Sequence, residues 1–271
     1  MTETGIEKFE NALKCTKKGD YQKACVIFDD LILSSVSVYS IVSQEIFKIS
    51  EWEYLQDITD CERKVNTDKP NFDGYMALGF LFKIAGNTER RNMFIQKALK
   101  INSINARVWR EYGESEFHLG NIRQSLLHFQ EAVNLDADDF ISYEGIGLCF
   151  YYLDEPIKAI NPLKKSMSLL QKNHIVMNHL AFILSELGEL TEAEDLIKEA
   201  LKIKASNNVY LDTYACILYL QERYQESLKT FEKILVNKPK EWEISWDILT
   251  QLYDVLGLHV KAKQIEEKLF L

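Results

Sequence analysis

A fixed spacing constrains this chain more than any other feature of it. Cut into blocks of 34 residues beginning at Phe72, Ala106, Phe140, His174 and Asn208, the sequence aligns five times without a gap. Position 4 of the blocks is always large and apolar (Tyr75, Trp109, Tyr143, Met177, Leu211), and so is position 7 (Leu78, Tyr112, Ile146, Leu180, Tyr214). Position 8 holds only the two smallest residues: Gly79, Gly113, Gly147, Ala181 and Ala215. Bulk at 4 and 7 beside a small residue at 8 lets one helix lie tightly against another. A second apolar face follows at position 24 (Ile95, Phe129, Leu163, Ile197, Phe231) and position 27 (Ala98, Ala132, Ser166, Ala200, Ile234), with small residues at position 20 in four blocks. Between the two faces lie Gly86-Asn87, Gly120-Asn121, Asp154-Glu155, Gly188-Glu189 and Glu222-Arg223. A left-handed residue such as glycine ends a helix at little cost. Each block therefore reads as helix, tight turn, helix.

The register extends outward and weakens. A first block runs over about 5–38, with Ala12, Gly19-Asp20-Tyr21, Ala24, Phe28 and Leu31 in place. A last block covers about 243–271, after one extra residue near Glu241-Trp242. The stretch 39–71 keeps Pro70 but sets Glu45 and Glu62 at core positions, so an irregular helical block is expected there. The whole chain then reads as one all-α array of seven to eight helix pairs, with the regular blocks at 72–105, 106–139, 140–173, 174–207 and 208–241. With 11 Gly and 4 Pro in 271 residues, turn-forming residues are too sparse for a β-sandwich or an α/β enzyme of this size.

The column pattern resembles the tetratricopeptide repeat family, whose signature reads W-x2-L-G-x2-Y, then A-x3-F, A and P. Trp109-Arg-Glu-Tyr112-Gly113 matches the first part, and Ser227-Leu-Lys-Thr-Phe231 with Asn237-Lys-Pro239 the rest. The resemblance implies a right-handed superhelix of antiparallel helix pairs. It also implies a concave groove lined by positions 2, 5, 9, 12 and 13 of each first helix. On this sequence the candidate groove residues are Met76, Phe80, Arg107, Arg110, Glu114, Phe117, Glu144, Leu148, Tyr151, Asn178, Phe182, Asp212, Cys216 and Tyr219. Many are apolar or aromatic at places where packing between repeats does not need them. An aromatic inner wall suits an apolar peptide or helical segment. Arg107 and Arg110 would suit acidic groups of that segment, and Glu144 and Asp212 basic ones. Cochaperones of the family clamp a terminal carboxylate with Lys, Asn and Arg at positions 5 and 9. No three successive blocks here supply that set, so a carboxylate clamp is not expected.

Three residues depart from the pattern. Arg91 stands at position 20 where a small residue belongs, so the second helix of that block is expected to shift or to start late. Pro156 falls in a first helical turn, where a missing N–H costs little. Pro162 falls inside the same helix and predicts a bend around 156–166.

Chemistry is harder to find. The net charge of −9, with basic residues no more clustered than Lys17-Lys18, Arg90-Arg91 or Lys164-Lys165, argues against nucleic acid. No stretch has the roughly 20 apolar residues of a membrane helix, and the first residues lack the features of a signal peptide. Five scattered cysteines without CxxC spacing argue against a zinc site or a disulfide framework and for a reducing, cytoplasmic setting. His174 and His179 are five apart and point to different faces, so no metal pair is expected. Gly145-x-Gly147 lies inside a helix and reads as packing, not as a phosphate loop. Neither a catalytic site nor a cofactor is expected. The last helix ends Leu269-Phe270-Leu271, which either packs inward or mediates self-association. The function expected is that of a scaffold, adaptor or chaperone for a protein or peptide. The alternative is a regulator whose repeats bind a small ligand or peptide and change shape near Tyr151 and Pro162.

Overall fold

The computed structural model describes residues 5–33, 51–236, 239–240 and 243–269. Fifteen α-helices and no strand occur among them. They fall into two compact units, Met1–Leu153 and Asp154–Leu271. The first unit holds α1 (Gly5–Lys18), α2 (Tyr21–Leu33), α3 (Glu51–Thr67), α4 (Phe72–Ile84), α5 (Thr88–Ile101), α6 (Ala106–His118), α7 (Ile122–Leu135) and α8 (Phe140–Tyr152). The second holds α9 (Pro156–Leu169), α10 (His174–Glu186), α11 (Leu190–Ile203), α12 (Asn208–Leu220), α13 (Tyr224–Val236), α14 (Trp246–Val255) and α15 (His259–Leu269). First helices begin at Phe72, Ala106, Phe140, His174 and Asn208, on the block boundaries read from the sequence. Glu45, the residues around it and the apolar C-terminus at Phe270-Leu271 lie outside the described residues.

Each end of these helices has a chemical cause. The residue before the first helix of each of the five regular blocks is Asn71, Asn105, Asp139, Asn173 or Asn207, and each side-chain oxygen accepts a backbone N–H of the first turn. Such a cap stabilises a helix by about 1 kcal/mol. The turn at position 15 is left-handed in every block: Gly86, Gly120 and Gly188 have φ of 70°, 80° and 83°, and Asp154 and Glu222 have 62° and 60°. The N–H after it reaches back five residues along the turn, from Asn87 to the Phe82 carbonyl and from Arg223 to the Leu218 carbonyl, both at 2.9 Å. That bond closes the exposed end of the first helix and sets the angle at which the second returns.

Packing follows the columns. Positions 20, 24 and 27 are buried in all five blocks. A Cβ added to Gly79 would lie 2.5 Å from Ile95 Cδ1, and one on Gly113 would lie 2.9 Å from the Phe129 ring. The position 24 side chain thus occupies the space that the small residue at position 8 leaves. Phe129 is gripped from its other side by Gly145 of the following block, whose added Cβ would lie 2.5 Å from the ring. Ser125 and Ser227, both at position 20, donate from Oγ to the carbonyls of Gly113 and Ala215 at 2.7 and 2.8 Å. One hydrogen bond thereby recurs in two blocks. Within each unit a second helix packs between its own first helix and the next one, so first helices lie side by side, as α6 and α8 do in one unit and α10 and α12 in the other.

One departure resolves differently from expectation. Arg91 neither shifts nor delays α5, which starts in register at Thr88. Arg91 is 2% exposed and its side chain pairs with carboxylates of the next repeat, so charge complementarity replaces small size. Pro156 takes the first turn of α9, and the helix continues through Pro162 to Leu169. Glu62 is accommodated by an ion pair with Arg90, whose guanidinium lies 4.3 Å over the Phe82 ring.

Candidate functional site: the face of the first helices

In the first unit this face has a charged floor. Glu111 of α6 is buried and receives Arg91 of α5 at 2.8 Å and Lys83 of α4 at 3.5 Å. Glu114, one turn on, receives the same two cations through Oε2, at 2.8 Å from Arg91 and 2.6 Å from Lys83. Burial alone would push the Glu111 carboxyl up. Lys83, Arg91, Arg110 and Arg107 outweigh it and hold the group well below the usual carboxylate range. Glu114 behaves oppositely: burial dominates and pushes its carboxyl up, with Glu144 adding to the effect and His118 opposing it. Burial pulls the Lys83 ammonium down, helped by Arg91 and Arg110. Four helices are tied by these ions, because Arg110 also reaches both oxygens of Asp139 at 3.3 Å. Asp139 is the cap of α8 and accepts from the Ser142 N–H and hydroxyl.

Beside this floor stands an aromatic wall. Phe117 meets Tyr152 edge-on with ring centroids 5.3 Å apart, and Tyr151 meets Tyr152 at 5.5 Å. Edge-to-face rings are a favourable arrangement, yet Tyr152 remains 62% exposed. Leu148 and Glu144 on α8 are half-buried.

The second unit presents a less charged face. Phe182 of α10 is 39% exposed and Leu220 of α12 is 47% exposed. Tyr219 is half-buried and donates to Gln251 Oε1 of α14 at 3.2 Å. Asp212 is occupied structurally: it accepts the Ser245 N–H and hydroxyl, each at 2.7 Å, and so anchors the start of α14. Cys216 is half-buried, and burial first, then Asp212, pushes its thiol up to about 12, so it is no thiolate nucleophile.

Four of the groove residues expected from sequence are not offered to a partner as they stand. Met76 and Phe80 are closed into the core, where Phe28 of α2 lies 6.0 Å from the Phe80 ring and Arg107 covers it at 4.5 Å. Glu114 is buried under its ion pairs, and Asn178 is buried as well. Arg107, Arg110, Phe117, Glu144, Leu148, Tyr151, Asp212, Cys216 and Tyr219 are half-buried, and Phe182 is exposed. Sequence reasoning overlooked Glu111 and Asp139. Asp139 had a signal, because the residue before each of the five blocks is Asn or Asp. Glu111 had a weaker one: position 6 is acidic only in the block that follows the aberrant Arg91.

Among the described residues no group of three or more His, Cys, Asp or Glu side chains is placed to hold a metal ion. No described helix is long and apolar enough to cross a membrane.

The family model described as Tetratricopeptide repeat matches residues 176–205, which cover α10 and α11. BBSome complex member BBS4 of Bos taurus is 24% identical over 164 residues, which span 60% of this chain and 31% of that protein. The chain thus corresponds to under a third of the length of the curated relatives it matches. Among solved structures, PilF of Pseudomonas aeruginosa superposes with a TM-score of 0.61 at 18% identity, over 74% of this chain and 92% of that one. YrrB, described as a TPR protein with an unusual peptide-binding site, superposes with a TM-score of 0.53 at 16% identity, over 67% of this chain and 94% of that one. These likenesses carry the fold.

Proposed function

We propose, starting from the premise that the chain is a tetratricopeptide-repeat protein, that it holds a protein or peptide segment on the face made by its first helices. The observation that carries this is the exposure of Tyr152, Phe182 and Leu220 at positions 9 and 13 of their first helices. Large apolar side chains left in water on a rigid scaffold cost solvation that a bound partner recovers. Aromatic residues are frequent anchors of such contacts. YrrB, which shares the fold, is described by a peptide-binding site, and BBS4 as a member of a complex. Both descriptions agree with a role in assembly.

The reading is one of binding, not catalysis. The buried thiols of Cys61 and Cys149 are pushed up by burial to about 12 and about 11. His174 is engaged with the Tyr210 hydroxyl at 2.7 Å, away from any candidate nucleophile of the face. The chain acts as scaffold, adaptor or chaperone according to what it holds, and its reducing-compartment cysteine usage suits a cytoplasmic site of action.

The test compares wild type with the double variant Phe182→Ala/Tyr219→Glu as bait in lysate of the source cell, after both show equal helical signal. A partner retained by wild type and lost from the variant supports the reading. Equal retention of the same partners by both places binding elsewhere and defeats it.

A further inference from the structure

The two oxygens of Glu114 have unlike surroundings. Oε2 takes Lys83 and Arg91 at 2.6 and 2.8 Å. Oε1 is buried and accepts no hydrogen bond among the described residues. His118 Nε2 lies 3.8 Å from it, beyond hydrogen-bond reach. The nearby cations are already engaged: Arg91 and Lys83 by Glu111 and Glu114, Arg110 by Asp139, and Arg107 over Phe80. Glu144 brings a second carboxylate within electrostatic reach of Glu114. The His118 side chain is 38% exposed, and the Phe117 ring meets both the His118 imidazole, at 6.2 Å, and the Tyr152 ring, at 5.3 Å.

We propose that this part of the first unit receives a lysine or arginine side chain of the bound segment. The cationic head lies against the Phe117 and Tyr152 rings and, as His118 swings aside, donates to Glu114 Oε1. The inference rests on the reading of the first-helix face as the binding surface and specifies the chemistry of its occupant. A cation over an aromatic face is attracted by the ring quadrupole, and a charge-assisted hydrogen bond satisfies a buried oxygen that otherwise lacks a donor. An acidic residue at this place would meet Glu114 and Glu144. A purely apolar one would seal the oxygen without a partner. Both occupants are disfavoured on the same ground.

The experiment uses the full chain as target for a random peptide library displayed on phage. One enriched peptide is synthesised, along with a version whose basic residue is replaced by norleucine, and both are titrated calorimetrically. Tyr152→Ala, at an exposed position, and Glu114→Gln serve as target variants. The expected result is enrichment of peptides with Lys or Arg at a fixed place, an affinity loss of about tenfold on norleucine replacement with wild type, and a loss below about twofold with either variant. Should Glu114→Gln lose its helical signal, Tyr152→Ala decides alone. Peptides that depend on Tyr152 yet carry no basic residue, or that bind equally well with norleucine, overturn the proposal and leave the binding face standing. Enriched peptides insensitive to both Tyr152→Ala and Phe182→Ala, or no enrichment at all, overturn both.

Discussion

Single atoms decide how closely neighbouring repeats approach. Gly145 leaves no room for a methyl group, because Phe129 already fills the space at 2.5 Å. Gly145→Ala should lower stability by about 1–3 kcal/mol, the usual range for overpacking, as read from chemical denaturation. The opposite change is available at Glu222, which adopts φ of 60° in a turn where three of the other four regular blocks use glycine. A side chain in that region costs about 1 kcal/mol, so Glu222→Gly should raise the denaturation midpoint. A lower midpoint would mean that the Glu222 side chain contributes more than its backbone strain removes. Arg91 and Glu111 form a unit at the same scale. Breaking a buried pair from one side costs about 3–5 kcal/mol. Arg91→Ala and Glu111→Ala should therefore each be severe, and the double variant should lose less than their sum. Additive losses would show that the two residues act separately. The small residues of position 8 were legible in the sequence because their column is uniform. Arg91 was legible only as an anomaly, because its compensation lies in another block and in a column that varies.

At the scale of the helix, the caps do what hydrophobic columns cannot. A search for apolar periodicity passes over the residue before each block, since Asn and Asp are polar and sit between elements. The structure shows all five closing a first helix. Asn207→Ala should cost about 1 kcal/mol, and Asn207→Asp should be nearly neutral, because either side chain accepts the same N–H. Ties between helices add a pH dependence. Burial would raise the Glu194 carboxyl, but hydrogen bonds from Lys198, Arg223 and Gln221 bring it down to about 2. Its folded value lies below the unfolded value of about 4.3. The stability it contributes is therefore complete above that value and declines as pH falls toward 2. Glu194→Gln should flatten the stability profile of the chain between about pH 4.3 and 2. An unchanged acid limb would remove Glu194 from the account. Within α9, the proline at position 162 predicted a bend, and the helix runs on through it to Leu169.

For the molecule as a whole, the repeat order and fold class were open to reading because five gapless blocks leave little else for the chain to form. The binding face was only partly legible. Sequence position says which residues point toward it but not which are then covered. Met76 and Phe80 obey the same rule as Phe182 and are nonetheless sealed, by Phe28 and Arg107. Coverage is a tertiary fact that no column encodes. If the face of the first helices holds the partner, crosslinking by position will report it. A photoreactive phenylalanine analogue placed at Phe182, on the exposed part of that face, is compared with the same analogue at Glu199, on the exposed side of a second helix. The account predicts partner adducts from position 182 and none from position 199 when the chain is irradiated in its own cell. Adducts from 199 without any from 182 would contradict it.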